Sequence, residues 1–364
     1  MDLNQQALDI HKKYKGKITT SLRDTDEMTR EKLSLYYSPG VGAVSSEIAK
    51  HPETLREYTW TNNLVAVISD GSAVLGLGDI GAKGAMPVME GKALLFKHFA
   101  NIDSVPIVLD VHTPNEIVET IKAMAPSFGA INLEDIAAPK CFEIEERLKA
   151  GLDIPVFHDD QHGTAVVVLA GLINAMKVVN KNLGDCKIAM VGAGAAGTAI
   201  AKLLHQYAQP EIIIVDSKAI ISRNRTDLNE EKKILLDFSN PNNVDGTLED
   251  TILDADIFIG VSKAELLTEA MVKSMAQDPV IFALANPTPE IMPDVAKKAG
   301  TAIIATGRSD LPNQVNNAVA FPGIFRVALD NGVHKITDAH KIAAAEAIAA
   351  LIENPSSENI IPSV

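Results

Sequence analysis

Residues 187–207 read KIAMVGAGAAGTAIAKLLHQY. An apolar, strand-like run leads directly into Gly192, Gly194 and Gly197, and an unbroken helical stretch follows. That order places backbone N–H groups and a helix N-terminus where the pyrophosphate of a dinucleotide carries its charge. The next apolar run, EIIIVD, ends in Asp216, about 20 residues further on, the distance expected for a ribose-binding carboxylate. Three more short apolar runs, DIFIGV, VIFALAN and TAIIATG, extend a parallel sheet. The stretch therefore predicts a Rossmann-type, doubly wound parallel-sheet domain that binds a dinucleotide. NAD is preferred, because Asp216 repels a 2′-phosphate; Ser217 and Lys218 beside it leave NADP open.

A second run, GLGDIG, gives Gly76, Gly78 and Gly81 the same spacing. Here Gly84 and Pro87 in the following AKGAMPV oppose a continuous helix, so the pyrophosphate argument fails. A tight loop near the substrate is expected instead.

Further upstream, LVAVIS, VPIVLDV and GAINL alternate with helical periodicity such as AKHPETLREY, punctuated by Gly and Pro. This predicts a separate α/β unit over 1–161. Residues 162–364 then form the dinucleotide domain, opening on the long apolar helix GTAVVVLAGLINAMKVV, with C-terminal helices from Asn317 packing back over both units.

Two apolar runs of the first unit end in paired acids, Glu134-Asp135 in GAINLEDIAAP and Asp159-Asp160 in IPVFHDDQHG. Strand ends are where open α/β sheets place ligands. Helix capping explains one isolated pair; two pairs in the same setting point to Glu134, Asp135 and Asp160 as ligands of one divalent cation, with Asp159 behind them. Oxygen donors without a His or Cys pair suit Mg2+ or Mn2+ rather than structural zinc. His158 and His162 flank the pair as supporting residues. Lys92, in MEGKALLF, opens an apolar helical run where desolvation and a nearby cation would lower its pKa toward use as a base; a lysine whose stem packs and whose head reaches water is the plainer reading. Tyr37, in LYYSPGV, precedes a Pro-Gly turn and can present its phenol to a cleft or simply pack.

With 46% hydrophobic and 22% charged residues among 364, the chain can bury a large core. A net charge of -14 argues against nucleic acid or an anionic membrane as partner, since both reward clustered Lys and Arg. Two cysteines, Cys141 and Cys186, suit a reducing compartment. The N-terminus lacks a signal-like apolar stretch and AVVVLAGLINAM is too short to cross a bilayer, so a cytoplasmic protein is expected.

Taken together, YSPGV, SDGSAVLGLGDIG, EGK, NLEDI, FHDDQHGTA, GAGAAG, FALANPTPE and NNAVAFPG stand in the order of one family: the chain resembles the malic enzymes in their short bacterial form, over nearly its whole length. The resemblance implies oxidative decarboxylation of malate to pyruvate and CO2 with NAD or NADP and Mg2+ or Mn2+. It implies Tyr37 as general acid, Lys92 as general base, Glu134, Asp135 and Asp160 as metal ligands, Asn286 and Asn317 as substrate contacts, and a homodimer. Asn286 is also expected to meet the dinucleotide. As plainer readings, Asn286 before Pro287 forms a turn and Asn317 caps a helix. Larger members carry an arginine where this chain has Ala73, which leaves the group that binds the remote carboxylate open. Malolactic or oxaloacetate-decarboxylating activity on the same scaffold, a metal-independent amino-acid dehydrogenase, and a non-catalytic nucleotide sensor are the competing readings.

Overall fold

The computed structural model describes residues 3–74 and 77–364. Two parallel sheets carry the architecture. The first has strands β1 (Leu64–Ser69), β2 (Asp103–Val108), β3 (Ala130–Leu133) and β4 (Val156–His158), in the order β2-β1-β3-β4. The second has β5 (Lys187–Val191), β6 (Glu211–Val215), β7 (Ile257–Gly260), β8 (Val280–Ala283) and β9 (Ile303–Thr306), in the order β6-β5-β7-β8-β9. Every pairing is parallel. Each predicted apolar run became a strand, because a strand covered by helices on both faces needs apolar side chains at successive positions and not only at alternate ones.

The two sheets share a helix. Asp159–Val179 starts immediately after β4, with both acids in its first turn, and packs against the helices Ala195–Ala208 and Asp338–Ala350. The expected division at residues 161 and 162 falls inside its first turn. At 21 residues this helix is long and apolar enough to cross a membrane by length and composition, which the shorter run AVVVLAGLINAM did not suggest. It is instead a core helix, with Val166, Val168, Leu169 and Leu172 fully buried between layers.

The chain's end returns to its first half. In the helix Phe321–Asp330, Phe321 and Phe325 meet Phe96 edge to face, with ring centroids 4.8 and 5.0 Å apart. Each such pair adds about 1 kcal/mol beyond its buried area. The same cluster includes Val65 and Val67 of β1, so a C-terminal helix completes the first unit's core.

One expectation fails here. Gly84 and Pro87 do not interrupt a helix: Gly81–Ala100 is continuous through both. Proline removes one intrahelical bond, but this helix buries Ala85, Met89, Lys92, Ala93 and Phe96 along one face, and tertiary packing of that stripe outweighs the loss. GLGDIG is excluded as a pyrophosphate turn for another reason. β1 ends at Ser69, well before it, whereas only Gly192–Gly194 separate β5 from its helix. Gly76 lies outside the described residues.

Candidate active site

Parallel strands bring their C-terminal ends to one edge, and the acids lie there. Glu134 follows β3, and its N–H donates to Ile68 of β1, which carries the pairing one residue past the strand. Asp135 then takes a left-handed backbone with φ of 53°, and its N–H donates to Asp160 Oδ2 at 2.7 Å. Aspartate is among the few residues that tolerate this conformation, and the turn it makes brings Asp135 to Asp160. Glu134, Asp135 and Asp160 bring ligand oxygens within 4.8 Å of one another.

The cluster fits a divalent cation. Burial lifts the Glu134 pKa well above its usual value; Lys92 opposes this, and the charges of Asp160, Asp159 and Asp135 raise it further. Hard oxygens crowded in a low-dielectric pocket are the donor set that Mg2+ or Mn2+ takes.

Lys92 lies in the middle of the helix Gly81–Ala100 rather than opening it. Its Nζ is 3.1 Å from Glu134 Oε1, in contact with Asp159, and 4.3 Å from the centre of the Phe321 ring. Burial by itself lowers the lysine pKa, but Asp159 and Glu134 outweigh it and the net shift is upward. The depression was expected beside a cation; without one among the carboxylates, Asp159 and Glu134 keep the proton on Lys92. It is not a lysine that reaches into water either.

Sequence reasoning missed the groups beneath the cluster. Asn132, fully buried in β3, donates to Glu134 Oε2 at 3.0 Å. Glu145 accepts the His158 N–H at 3.0 Å and pairs with His162 at 2.8 Å and Lys149 at 2.7 Å. His158 Nε2 stands 3.1 Å from Asp160 Oδ2, so both histidines anchor the first turn of the bridging helix. A buried polar residue in an apolar strand was the one readable signal, at Asn132.

At the second sheet the three glycines divide the work. Gly192 has φ of 114° and packs on Val261. A Cβ on Gly197 would lie 1.9 Å from the Gly192 carbonyl oxygen, whereas at Gly194 it would meet nothing within 4 Å. A close helix-to-strand approach beside open space is the cradle a pyrophosphate requires. Ala195, the next residue, packs against the hydrophobic core under β1 and β3, which joins this turn to the first unit.

Asp216 immediately follows β6, one residue past the strand end expected for it, and its carboxylate is already engaged. Arg225 donates to both oxygens, at 2.9 and 3.1 Å, and Lys232 donates to Oδ2 at 2.6 Å. Burial alone would raise its pKa; these bonds outweigh burial and hold it well below the carboxylate range. Lys218, the cation adjacent in sequence, pairs with Asp227 instead.

Asn317 packs against Gly163 in the first turn of the bridging helix, next to Asp159. Asn286 is exposed just beyond β8, and its side-chain amide lies against Gly307 beyond β9. Its loop is held by Glu290, wholly buried, which accepts N–H bonds from Ser262 and Ala285 at 3.0 Å each. Ala73 donates its N–H to Asp135 O at 3.0 Å, so this position adjoins the acids. Tyr37 is not brought to them. Its side chain is 70% exposed, and its hydroxyl makes no hydrogen bond among the described residues.

A parallel sheet ending in clustered acids and a lysine, joined to a second sheet with a pyrophosphate turn, defines a two-domain dinucleotide-dependent enzyme. Family models place it further: "Malic enzyme, N-terminal domain" matches residues 15–116 and 112–149, and "Malic enzyme, NAD binding domain" matches 161–364. The chain belongs to the malic enzyme family. It is 52% identical to the bifunctional malic/malolactic enzyme of Bacillus subtilis, covering all of this chain and 89% of that one. It is 53% identical to the NAD-dependent malic enzyme of Geobacillus stearothermophilus, covering 96% and 73%. The crystal structure of the NAD-dependent malic enzyme of Thermotoga maritima superposes with a TM-score of 0.95 at 50% identity, covering 98% of this chain and 94% of that one.

Proposed function

We propose that the chain oxidises L-malate at C2 and releases C4 as CO2, giving pyruvate and reduced NAD. The observation that carries this reading is Lys92 set between Glu134 and Asp159, beside three carboxylates whose oxygens lie within 4.8 Å. Glu134, Asp135 and Asp160 would hold a divalent cation, which would supply polarisation of the C2 oxygen and offset the charge that keeps Lys92 protonated. Gly192, Gly194 and Gly197 would hold the dinucleotide pyrophosphate and Asp216 its ribose, and the bound dinucleotide would supply the hydride acceptor for C2.

The chain's residues then move two protons. Lys92 takes the malate hydroxyl proton as hydride leaves C2. After the C3–C4 bond breaks, its electrons remain on C3, and Tyr37 supplies the proton there. Asn286 and Asn317 orient the substrate, Asn286 from the edge it shares with the cofactor. The enzyme works as a cytoplasmic homodimer on a small acid, with neither nucleic acid nor membrane as partner.

Two observations favour companion readings. Arg225 and Lys232 on Asp216 offer cations to a 2′-phosphate, which favours use of NADP alongside NAD. The 52% identical relative named for both malic and malolactic activity favours lactate as a second product. All are tested by incubating the protein with L-malate, Mn2+ and either dinucleotide while following reduced nicotinamide and pyruvate together. Equal, chelator-sensitive production of both establishes oxidative decarboxylation; lactate without reduced cofactor establishes the malolactic reaction; neither product sinks the proposal.

A further inference from the structure

Glu134 and Asp135 follow β3, whereas Asp160 lies in the first turn of the bridging helix, so whatever fixes that turn fixes the cluster. The turn has no cap of its own. His158 occupies the N-cap position, and its side chain makes no capping hydrogen bond. In a capping box, a glutamate or glutamine three residues further on reaches back to the N-cap N–H and sets the angle at which the chain enters the helix. Gln161 stands at that place, but its amide donates instead to His158 Nδ1 at 2.7 Å and to Glu145 Oε2 at 3.4 Å. The N-cap N–H goes to Glu145 Oε1 at 3.0 Å. A carboxylate from a different helix, Lys140–Gly151, therefore does what the capping-box side chain would do.

Glu145 is buried and takes two further donors, Lys149 Nζ at 2.7 Å and His162 Nε2 at 2.8 Å. The direction of the second bond is fixed from outside. Lys341, on the C-terminal helix Asp338–Ala350, has only protons to give and stands 3.0 Å from His162 Nδ1, so Nδ1 accepts and Nε2 carries the proton that Glu145 takes. The turn is thus held at His158, Gln161 and His162, on both sides of Asp159 and Asp160. Stability alone does not call for this arrangement, because buried ion pairs exchanged for apolar side chains often leave a fold no less stable. What an apolar cluster lacks is direction. The turn also has no slack: a Cβ on Gly163 would stand 1.8 Å from Asp159 Oδ1.

We infer that Glu145 is a positioning residue of the metal centre: from the helix Lys140–Gly151 it pins the first turn of the bridging helix, and so sets where Asp160 meets Glu134 and Asp135. It acts through His158, Gln161 and His162 rather than on the cation. Groups that orient a ligand in this way typically govern metal affinity by 10- to 100-fold, roughly as much as a small misplacement of the ligand itself costs. The inference rests on the reading of Glu134, Asp135 and Asp160 as cation ligands proposed above.

The test is calorimetric titration of the metal-free protein with Mn2+, and separately with NAD, beside thermal unfolding of the same samples. Glu145→Gln keeps the shape and one acceptor for the His158 N–H, but sets an amide donor against the His162 donor. It is expected to raise the Kd for Mn2+ about tenfold, the lower range for such a group, while the Kd for NAD stays within about twofold. A second pair of variants leaves Glu145 in place and decides the matter if Glu145→Gln does not fold. Glutamine offers one donor and one acceptor, as neutral imidazole does, so His162→Gln should keep the Kd for Mn2+ within about threefold, whereas His162→Leu should raise it about tenfold. A folded Glu145→Gln whose Kd for Mn2+ stays within twofold of wild type, whatever its unfolding temperature, reduces Glu145 to a fold-stabilising ion pair and overturns the inference. So do His162→Gln and His162→Leu with equal Kd values. A wild type that binds no Mn2+ overturns the metal centre itself, a failure distinct from these.

Discussion

Lys92 and Glu134 face each other at 3.1 Å across two elements, one on the helix Gly81–Ala100 and the other at the end of β3. Neither ion is accessible enough to be held by water. The pair couples the chemistry of the site to its charge state: carboxylate charge holds the lysine proton on, and a cation among the carboxylates would oppose that hold.

Replacing Lys92 by Met is expected to lower kcat by about 10³-fold, the middle range for a lost general base. Without its counter-ion, Glu134 remains buried beside three other acids, and the metal-free protein is expected to lose about 3 kcal/mol. Steady-state kinetics and urea unfolding check the two halves. An unchanged kcat removes Lys92 from the chemistry.

Mn2+ at 100 times its dissociation constant is expected to stabilise the wild type by about 2.7 kcal/mol, because only the folded state assembles the three oxygens. Asp160→Asn should abolish that gain. Thermal unfolding with and without chelator measures it, and an equal gain in the variant would place the cation elsewhere.

The glycines should separate structure from binding. Gly197→Ala puts a methyl 1.9 Å from the Gly192 oxygen and is expected to cost more than about 2 kcal/mol of stability together with dinucleotide binding. At Gly194 a methyl meets only open space, so Gly194→Ala should stay within about 0.5 kcal/mol of wild type yet bind NAD at least tenfold more weakly. Calorimetric titration beside unfolding distinguishes the two.

Cofactor choice should respond to Lys232. Lys232→Ala removes a 2.6 Å bond to Asp216 and is expected to lower kcat/KM for NADP about tenfold, the equivalent of 1.4 kcal/mol, while leaving NAD within about twofold. An equal loss for both dinucleotides would make the lysine a structural counter-ion only.

Asp338 supplies a pH signature away from the site. Burial raises its pKa, but its bonds with Lys341 and Gln206 outweigh this and bring it down to about 2 from 3.8. A depressed acid stabilises the fold above its unfolded pKa, and that contribution is lost as pH falls from about 4 toward 2. For a half-exposed group it amounts to about 1 kcal/mol. Asp338→Asn should therefore be less stable than wild type at pH 7, with the gap narrowing as pH falls below 4. A gap independent of pH in chemical unfolding would rule the ion pair out as its cause.

Much of this protein is legible along the chain. Apolar run length and glycine spacing are relations between near neighbours, so the nine strands, the turn at Gly192–Gly197 and the strand-end acids Glu134 and Asp160 follow from sequence alone. Packing decided what near neighbours cannot encode. The burial of Ala85, Met89 and Phe96 carried a helix through Gly84 and Pro87, and only the tertiary fold placed Asp159, 67 residues away, against Lys92 and turned its pKa upward. Arg225 and Lys232 likewise reach Asp216 by the path of a loop and a short helix that no motif describes. That Tyr37 stands 70% exposed and apart from the acids is likewise a tertiary outcome, because the edges of a sheet exist only after strands distant in sequence have paired.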